Sequence, residues 1–174
     1  MKKILLIGLL LSFIFTGCSY QFTQSNPYKS ESLIQRDYSA SNELLKKADL
    51  PYDSKIIMTT IVDINDIENA APLGRTISEH VSTFLANKGF NVVEMKLRNK
   101  IKMKKTIGEL VLSRDVNKVI RDVDARALVT GTYSNSASFV YISLKILDAK
   151  SGVILAGEDY RIYKTEDIRK LLRD

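Results

Sequence analysis

Two runs of β-branched residues bracket a helical stretch, and that order limits the chain to a small set of folds. Residues 55–64 carry Ile56, Ile57, Met58, Thr59, Thr60, Ile61 and Val62, an apolar run with the length of a strand buried on both faces. A polar loop follows at 63–71. Pro72 then suits the first turn of a helix, where its missing N–H is no loss, and Leu73, Ile77, Val81, Phe84 and Leu85 recur at helical spacing. Lys88 and Gly89 supply a left-handed stop. Residues 91–97 return as a strand through Val92, Val93 and Met95, which completes a parallel β-α-β unit with the usual right-handed crossover.

The flanking segments extend this unit at both ends. Ala40, Leu44, Leu45 and Ala48 share one side of a short helix over residues 39–48, with Pro51 beyond its end. Ser113 can cap a second helix in which Val116, Val119, Ile120 and Val123 line one face. Residues 127–133 form the next strand. Polar residues 134–138 make a turn, and Val140, Ile142, Leu144 and Ile146 then alternate with Tyr141, Ser143 and Lys145, the period of a strand with one wet face. A turn at 148–152 leads to a strand over 153–163, giving an antiparallel meander. Thr165 caps a last helix that begins with Glu166 and Asp167 and ends near Arg169, Lys170 and Arg173, a charge order matched to the helix dipole. The predicted fold class is α/β: a mixed sheet of about five strands, in the order β-α-β-α-β-β-β, with helices mainly on one face. The other face is left for partners.

The amino terminus sets the compartment. Lys2 and Lys3 precede an apolar run from Ile4 to Phe15, broken by Gly8 and Ser12. A spanning helix needs roughly 20 apolar residues, so this shorter run reads as an export signal. Thr16, Gly17 and Cys18 follow, and Cys18 is the single cysteine of the chain. Phe15 to Cys18 resembles the lipobox of bacterial lipoproteins, with Phe15 where such boxes usually carry leucine. The resemblance implies cleavage after Gly17, a thioether-linked diacylglycerol on the Cys18 sulfur and an acyl chain on the new amine. No other cofactor is expected. Two or more chains hold a protein stably, since each buried CH₂ contributes about 0.8 kcal/mol. Ser19, uncharged, implies sorting to the outer membrane. Residues 19–36, rich in Ser, Gln and Asn with Tyr20, Phe22 and Tyr28 scattered among them, show no period and read as a tether. The organisation expected is a signal peptide at 1–17, a lipidated tether at 18–36 and one domain at 37–174.

Composition leaves little room for an enzyme or a nucleic-acid binder. The formal charge of +6 in 174 residues loses two units with Lys2 and Lys3, and nucleic acid is a poor partner for an exported chain. His80 is the single histidine, so a His-based metal cluster or triad cannot be assembled, and its ring is expected to be solvated or partly buried. Asp63 with Asp66, and Asp122 with Asp124, lack the ligand series and turn glycine of a calcium loop. There is no P-loop and no dinucleotide fingerprint. One local pattern stands out: Lys96, Arg98, Lys100, Lys102 and Lys104 fall on every second residue, followed by Lys105, with Leu97, Ile101 and Met103 between them. In an extended chain the cations point one way. Such a ribbon fits an anionic surface, where each cation near headgroups is worth about 1 kcal/mol, and fits equally a strand edge guarded against aggregation.

Several blocks in order carry a wider likeness: Asp63-Ile64-Asn65-Asp66, Ala71-Pro72-Leu73-Gly74-Arg75, Ile77-Ser78-Glu79, Gly89-Phe90-Asn91-Val92-Val93-Glu94, Leu112-Ser113-Arg114-Asp115-Val116 and Val129-Thr130-Gly131-Thr132-Tyr133-Ser134. Across residues 41–160 the chain resembles the FlgO family of outer-membrane lipoproteins associated with the bacterial flagellum. The resemblance implies a non-enzymatic role in anchoring or stabilising the flagellum at the outer membrane, in support of motility. Implied partners are basal-body or envelope proteins, with peptidoglycan and further copies of the chain also compatible. The lysine-rich stretch 98–109 departs from the pattern. Residues alone are equally compatible with a general envelope lipoprotein that regulates a secretion channel or a wall-synthesis enzyme. Within the blocks, Gly74 and Arg75 fit a tight packing corner or a helix start that holds an anion, and Gly131 a close approach or a bulge inside a strand.

Overall fold

A computed structural model describes residues 32–95 and 120–172. Helix α1, Leu33–Ala48, opens on a capping box: the Ser32 hydroxyl accepts from the Gln35 N–H at 3.3 Å, and the Gln35 amide oxygen accepts from the Ser32 N–H at 3.2 Å. The helix thus begins six residues before the predicted Ser39 and runs into the stretch read as a tether, so residues 33–36 belong to α1. Asp49, in the left-handed region at φ 45°, ends it.

Strands β1, Lys55–Thr59, and β2, Val62–Asp63, replace the single strand expected over 55–64. The break has a tertiary cause. Ser78, on helix α2 (Pro72–Asn87), accepts the Ile61 N–H through its hydroxyl at 2.9 Å, which draws that amide away from a ladder. Gly74, one turn earlier, lets α2 close onto the same point, because a Cβ there would lie 1.8 Å from the Ile61 carbonyl oxygen. Pro72 sits at the helix start, and Gly89, at φ 90°, follows its end as expected.

The sheet is completed by β3 (Asn91–Met95), β4 (Ala127–Asn135), β5 (Phe139–Asp148) and β6 (Ile154–Tyr163), followed by helix α3 (Glu166–Leu171). Thr165 caps α3, accepting from the Ile168 N–H. Strand order is β3-β1-β4-β5-β6, with β2 also paired to β4. β1 lies parallel to both β3 and β4, while β4, β5 and β6 form the antiparallel meander. The result is a six-stranded mixed sheet, one short strand more than predicted.

The three helices contribute to one core layer against one face of the sheet. Leu44 of α1, Leu73, Ile77, Val81 and Leu85 of α2, and Ile168 of α3 pack with Ile56, Met58, Val129, Tyr133, Ile142, Leu144 and Ile146, all buried. Each fully buried aliphatic side chain is worth about 1.5–3 kcal/mol. On the opposite face, among the described residues, Ile57, Leu128 and Leu147 meet Ile120 and Ala125 at one end. Residues 120–123 are helical, within the helix expected after Ser113; residues 113–119 of that expectation lie outside the described residues.

Candidate interaction surface

Three side chains hold α1 against the sheet. Asp37, fully buried, accepts the Tyr160 hydroxyl on Oδ1 at 2.5 Å, and its Oδ2 lies 2.6 Å from His80 Nδ1. One carboxylate therefore ties α1 to both β6 and α2. Burial pushes the Asp37 carboxyl above its ordinary range, while the bonds from His80 and Tyr160 and the charge of His80 act in the lowering direction. Tyr160 is driven well up by burial and by the neighbouring carboxylate. Ser41 turns back to donate to the Asp37 carbonyl at 2.6 Å. The His80 ring, with its side chain 23 % exposed, is partly buried as expected, and Tyr38 meets it edge-on at 6.5 Å. Residue patterns did not single out Asp37 or Tyr160. The available signal was an ionisable residue on the helix stripe shared by Leu33, Ala40, Leu44 and Ala48.

Beyond this junction, no described helix packs on the far half of the outer sheet face. The register aligns Thr132 with Ser143 and Asp159, Ser134 with Tyr141 and Arg161, and Phe139 with Tyr163. Strand alternation points all of them away from the helices, because Tyr133, Ile142 and Ile162 point in. Ile64 and Tyr141 stand at 58 % and 47 % exposure over a cleft of about 440 Å³ whose floor carries the hydroxyls of Thr132, Ser134 and Ser143. Phe139 anchors the aromatic end, with Tyr163 edge-on at 5.7 Å, Tyr141 tilted at 6.5 Å and the Arg161 guanidinium 4.6 Å from its ring centre. Tyr, Phe and Arg in one patch is the composition enriched at protein interfaces.

Gly131 lies under this patch because a Cβ there would stand 2.3 Å from the Ser143 carbonyl oxygen. This is the close approach expected. Gly74 with Arg75 makes the packing corner, and the Arg75 guanidinium bonds to the Ala70 carbonyl. A smaller hollow of about 190 Å³ opens beside the ends of β1 and β3, where Ser82, buried, has no hydrogen-bond partner among the described residues. Among those residues no group of three or more His, Cys, Asp or Glu is placed to hold a metal ion. No helix among them is long and apolar enough to cross a membrane. Cys18 and the basic positions Lys96, Arg98, Lys100, Lys102, Lys104 and Lys105 lie outside the described residues.

A mixed sheet with helices α1, α2 and α3 packed against one face defines the class by its fold, that of an envelope lipoprotein domain. A family model described as FlgO protein matches residues 38–167, most of the chain, and the chain belongs to that family. No curated protein matches it in sequence. Among solved structures it is similar to the LpoB C-terminal domain from Escherichia coli, with a TM-score of 0.52 and 12% identity over 73% of this chain and 95% of that one. The LpoB C-terminal domain from Salmonella enterica is similar at a TM-score of 0.50 and 14% identity, with the same coverage of 73% and 95%. At such identities the likeness is one of fold.

Proposed function

We propose that this chain is a non-enzymatic outer-membrane lipoprotein that anchors or stabilises the flagellar apparatus and so supports motility. Membership of the FlgO family over residues 38–167 is the observation that carries this reading. In it, acyl chains on Cys18 hold the amino terminus in the membrane, and the segment before α1 lets the domain stand off the surface. The partner surface is the outer face of β4, β5 and β6. Its rigidity matters: the Asp37 junction clamps the first helix after the tether onto β6, so a pull on the anchor is delivered to the sheet that holds the partner. Confinement to a membrane plane raises the effective concentration of weak contacts, and several such domains then bind together more tightly than one.

The test is complementation of a deletion strain. Wild-type protein restores swimming, whereas Tyr141→Asp, at an exposed position on the face, leaves the fold intact and swimming impaired. A deletion strain that swims normally overturns the flagellar reading. It would leave the broader one, in which the same anchor and face serve a secretion channel or a wall-synthesis enzyme.

A further inference from the structure

The cleft on the outer face of β4, β5 and β6 has a floor whose chemistry narrows what can occupy it. Register sets Thr132, Ser143 and Asp159 in one row across the three strands, and Ser134 beside Tyr141 in the next. Strand spacing makes the first row roughly 10 Å long, and the two-residue step separates the rows by about 7 Å. The hydroxyls of Thr132, Ser134 and Ser143 are half-buried and have no hydrogen-bond partner among the described residues. Beside them stands the exposed Tyr141 ring, tilted against Phe139 at 6.5 Å, with Ile64 exposed over the cleft.

Ligand classes meet this floor differently. An apolar ligand would take three hydroxyls out of water without giving them partners, which is unfavourable. Asp159 and Arg161 line the cleft together, and their opposite charges select neither an anion nor a cation. A peptide adding as a strand finds no main-chain groups to pair with, since β5 is bonded to β4 on one side and to β6 on the other. A saccharide fits each feature. Hydroxyl side chains both donate and accept, as ring hydroxyls do, and a carboxylate accepts from such hydroxyls. The flat apolar face of a pyranose stacks on an aromatic ring. The volume of about 440 Å³ also falls within the roughly 300–1,000 Å³ of small-ligand sites.

We propose, resting on the reading of this face as the partner surface, that the cleft binds a strand of N-acetylhexosamines, the chemistry of cell-wall glycan. One ring stacks on Tyr141, ring hydroxyls bond to Ser134, Ser143, Thr132 and Asp159, and an acetamido methyl lies against Ile64. With many copies held at one membrane, weak single contacts to a continuous glycan layer add up.

Titration of the full-length protein with chitotriose, the soluble trisaccharide of N-acetylglucosamine, tests this by ligand-observed NMR in a detergent without a sugar headgroup. Wild type binds, and wall glycan strands freed of their stem peptides compete. Maltotriose, which has ring hydroxyls but no acetamido group, binds at least about tenfold more weakly. Tyr141→Ala lowers affinity about tenfold, whereas Tyr141→Phe, which keeps the ring, stays within about twofold of wild type. Ser143→Ala lowers it about fivefold. Chitotriose that does not bind, maltotriose that binds equally well, or a Tyr141→Ala protein that binds as the wild type does would each overturn the proposal. Absent binding with swimming still impaired by Tyr141→Asp removes the glycan and leaves the face as a partner surface. Binding by a protein whose deletion leaves swimming normal supports the glycan and removes the flagellar reading.

Discussion

Replacing Asp37 by alanine tests the junction that fixes α1 to the sheet. The substitution removes both acceptors of a fully buried carboxylate. Tyr160 Oη then loses its partner at 2.5 Å, and an orphaned polar group in such a place costs about 1–3 kcal/mol. The His80 ring, with its side chain 23 % exposed, can turn to water and adds little. The lost side-chain volume adds a smaller packing term, partly offset because a desolvated carboxylate is itself unfavourable. The net expectation is about 2–3 kcal/mol, or roughly 6–12 °C in melting temperature for a domain of this size. Asp37→Asn keeps the shape and one acceptor, so it costs about 1 kcal/mol or less at neutral pH.

The pH dependence of the same pair gives the sign. Burial raises the folded Asp37 carboxyl above its ordinary value near 3.8, so the folded state holds the proton more tightly than the unfolded one. Its contribution is fully present below that ordinary value and is lost as pH rises through the raised one. The amide of the Asp37→Asn variant carries no such proton. Wild-type stability, measured relative to Asp37→Asn by urea unfolding from pH 3.5 to 8, therefore falls with rising pH. An Asp37→Ala protein as stable as wild type, or a wild-type advantage that grows with pH, would refute the reasoning.

Three further outcomes follow from the geometry. Gly74→Ala places a methyl against the Ile61 carbonyl and costs about 3 kcal/mol, read as a lowered urea midpoint; an unchanged midpoint counts against the α2–Ile61 corner. Asp148 accepts from the Lys150 and Ser151 amides and the Ser151 hydroxyl, which, with Arg126 nearby, hold its carboxyl below the ordinary range. Asp148→Ala therefore destabilises the 148–152 turn at neutral pH by about 1 kcal/mol, and the gap from wild type narrows as pH falls through the lowered carboxyl. Mass spectrometry of the native protein should show a chain starting at an acylated Cys18, whereas a free thiol or a retained leader would remove the anchor.

What could be read from residues alone divides by the range of the interaction. The helix at Pro72–Asn87 and the alternation of Val140, Ile142, Leu144 and Ile146 were legible because period and stop signals are local. The meander followed from the same alternation. Helix α1 was placed late because Asp37 interrupts its apolar stripe and masks a start that Ser32 and Gln35 do signal. The break after Thr59 was not legible, since it depends on a hydroxyl 17 residues away at Ser78. Nor was the Asp37–Tyr160 bond, which closes over 123 residues. The aromatic patch joins Ile64 to three strands far along the chain, and only the sheet register brings them together.

The most direct test of the central claim is fractionation of purified flagellar basal bodies with their outer-membrane collar, probed for this protein. The account predicts that the wild-type protein co-fractionates with them and that a Cys18→Ala protein, exported without its anchor, does not. Quantitative recovery in the bulk outer membrane, with none on the basal bodies, would contradict it.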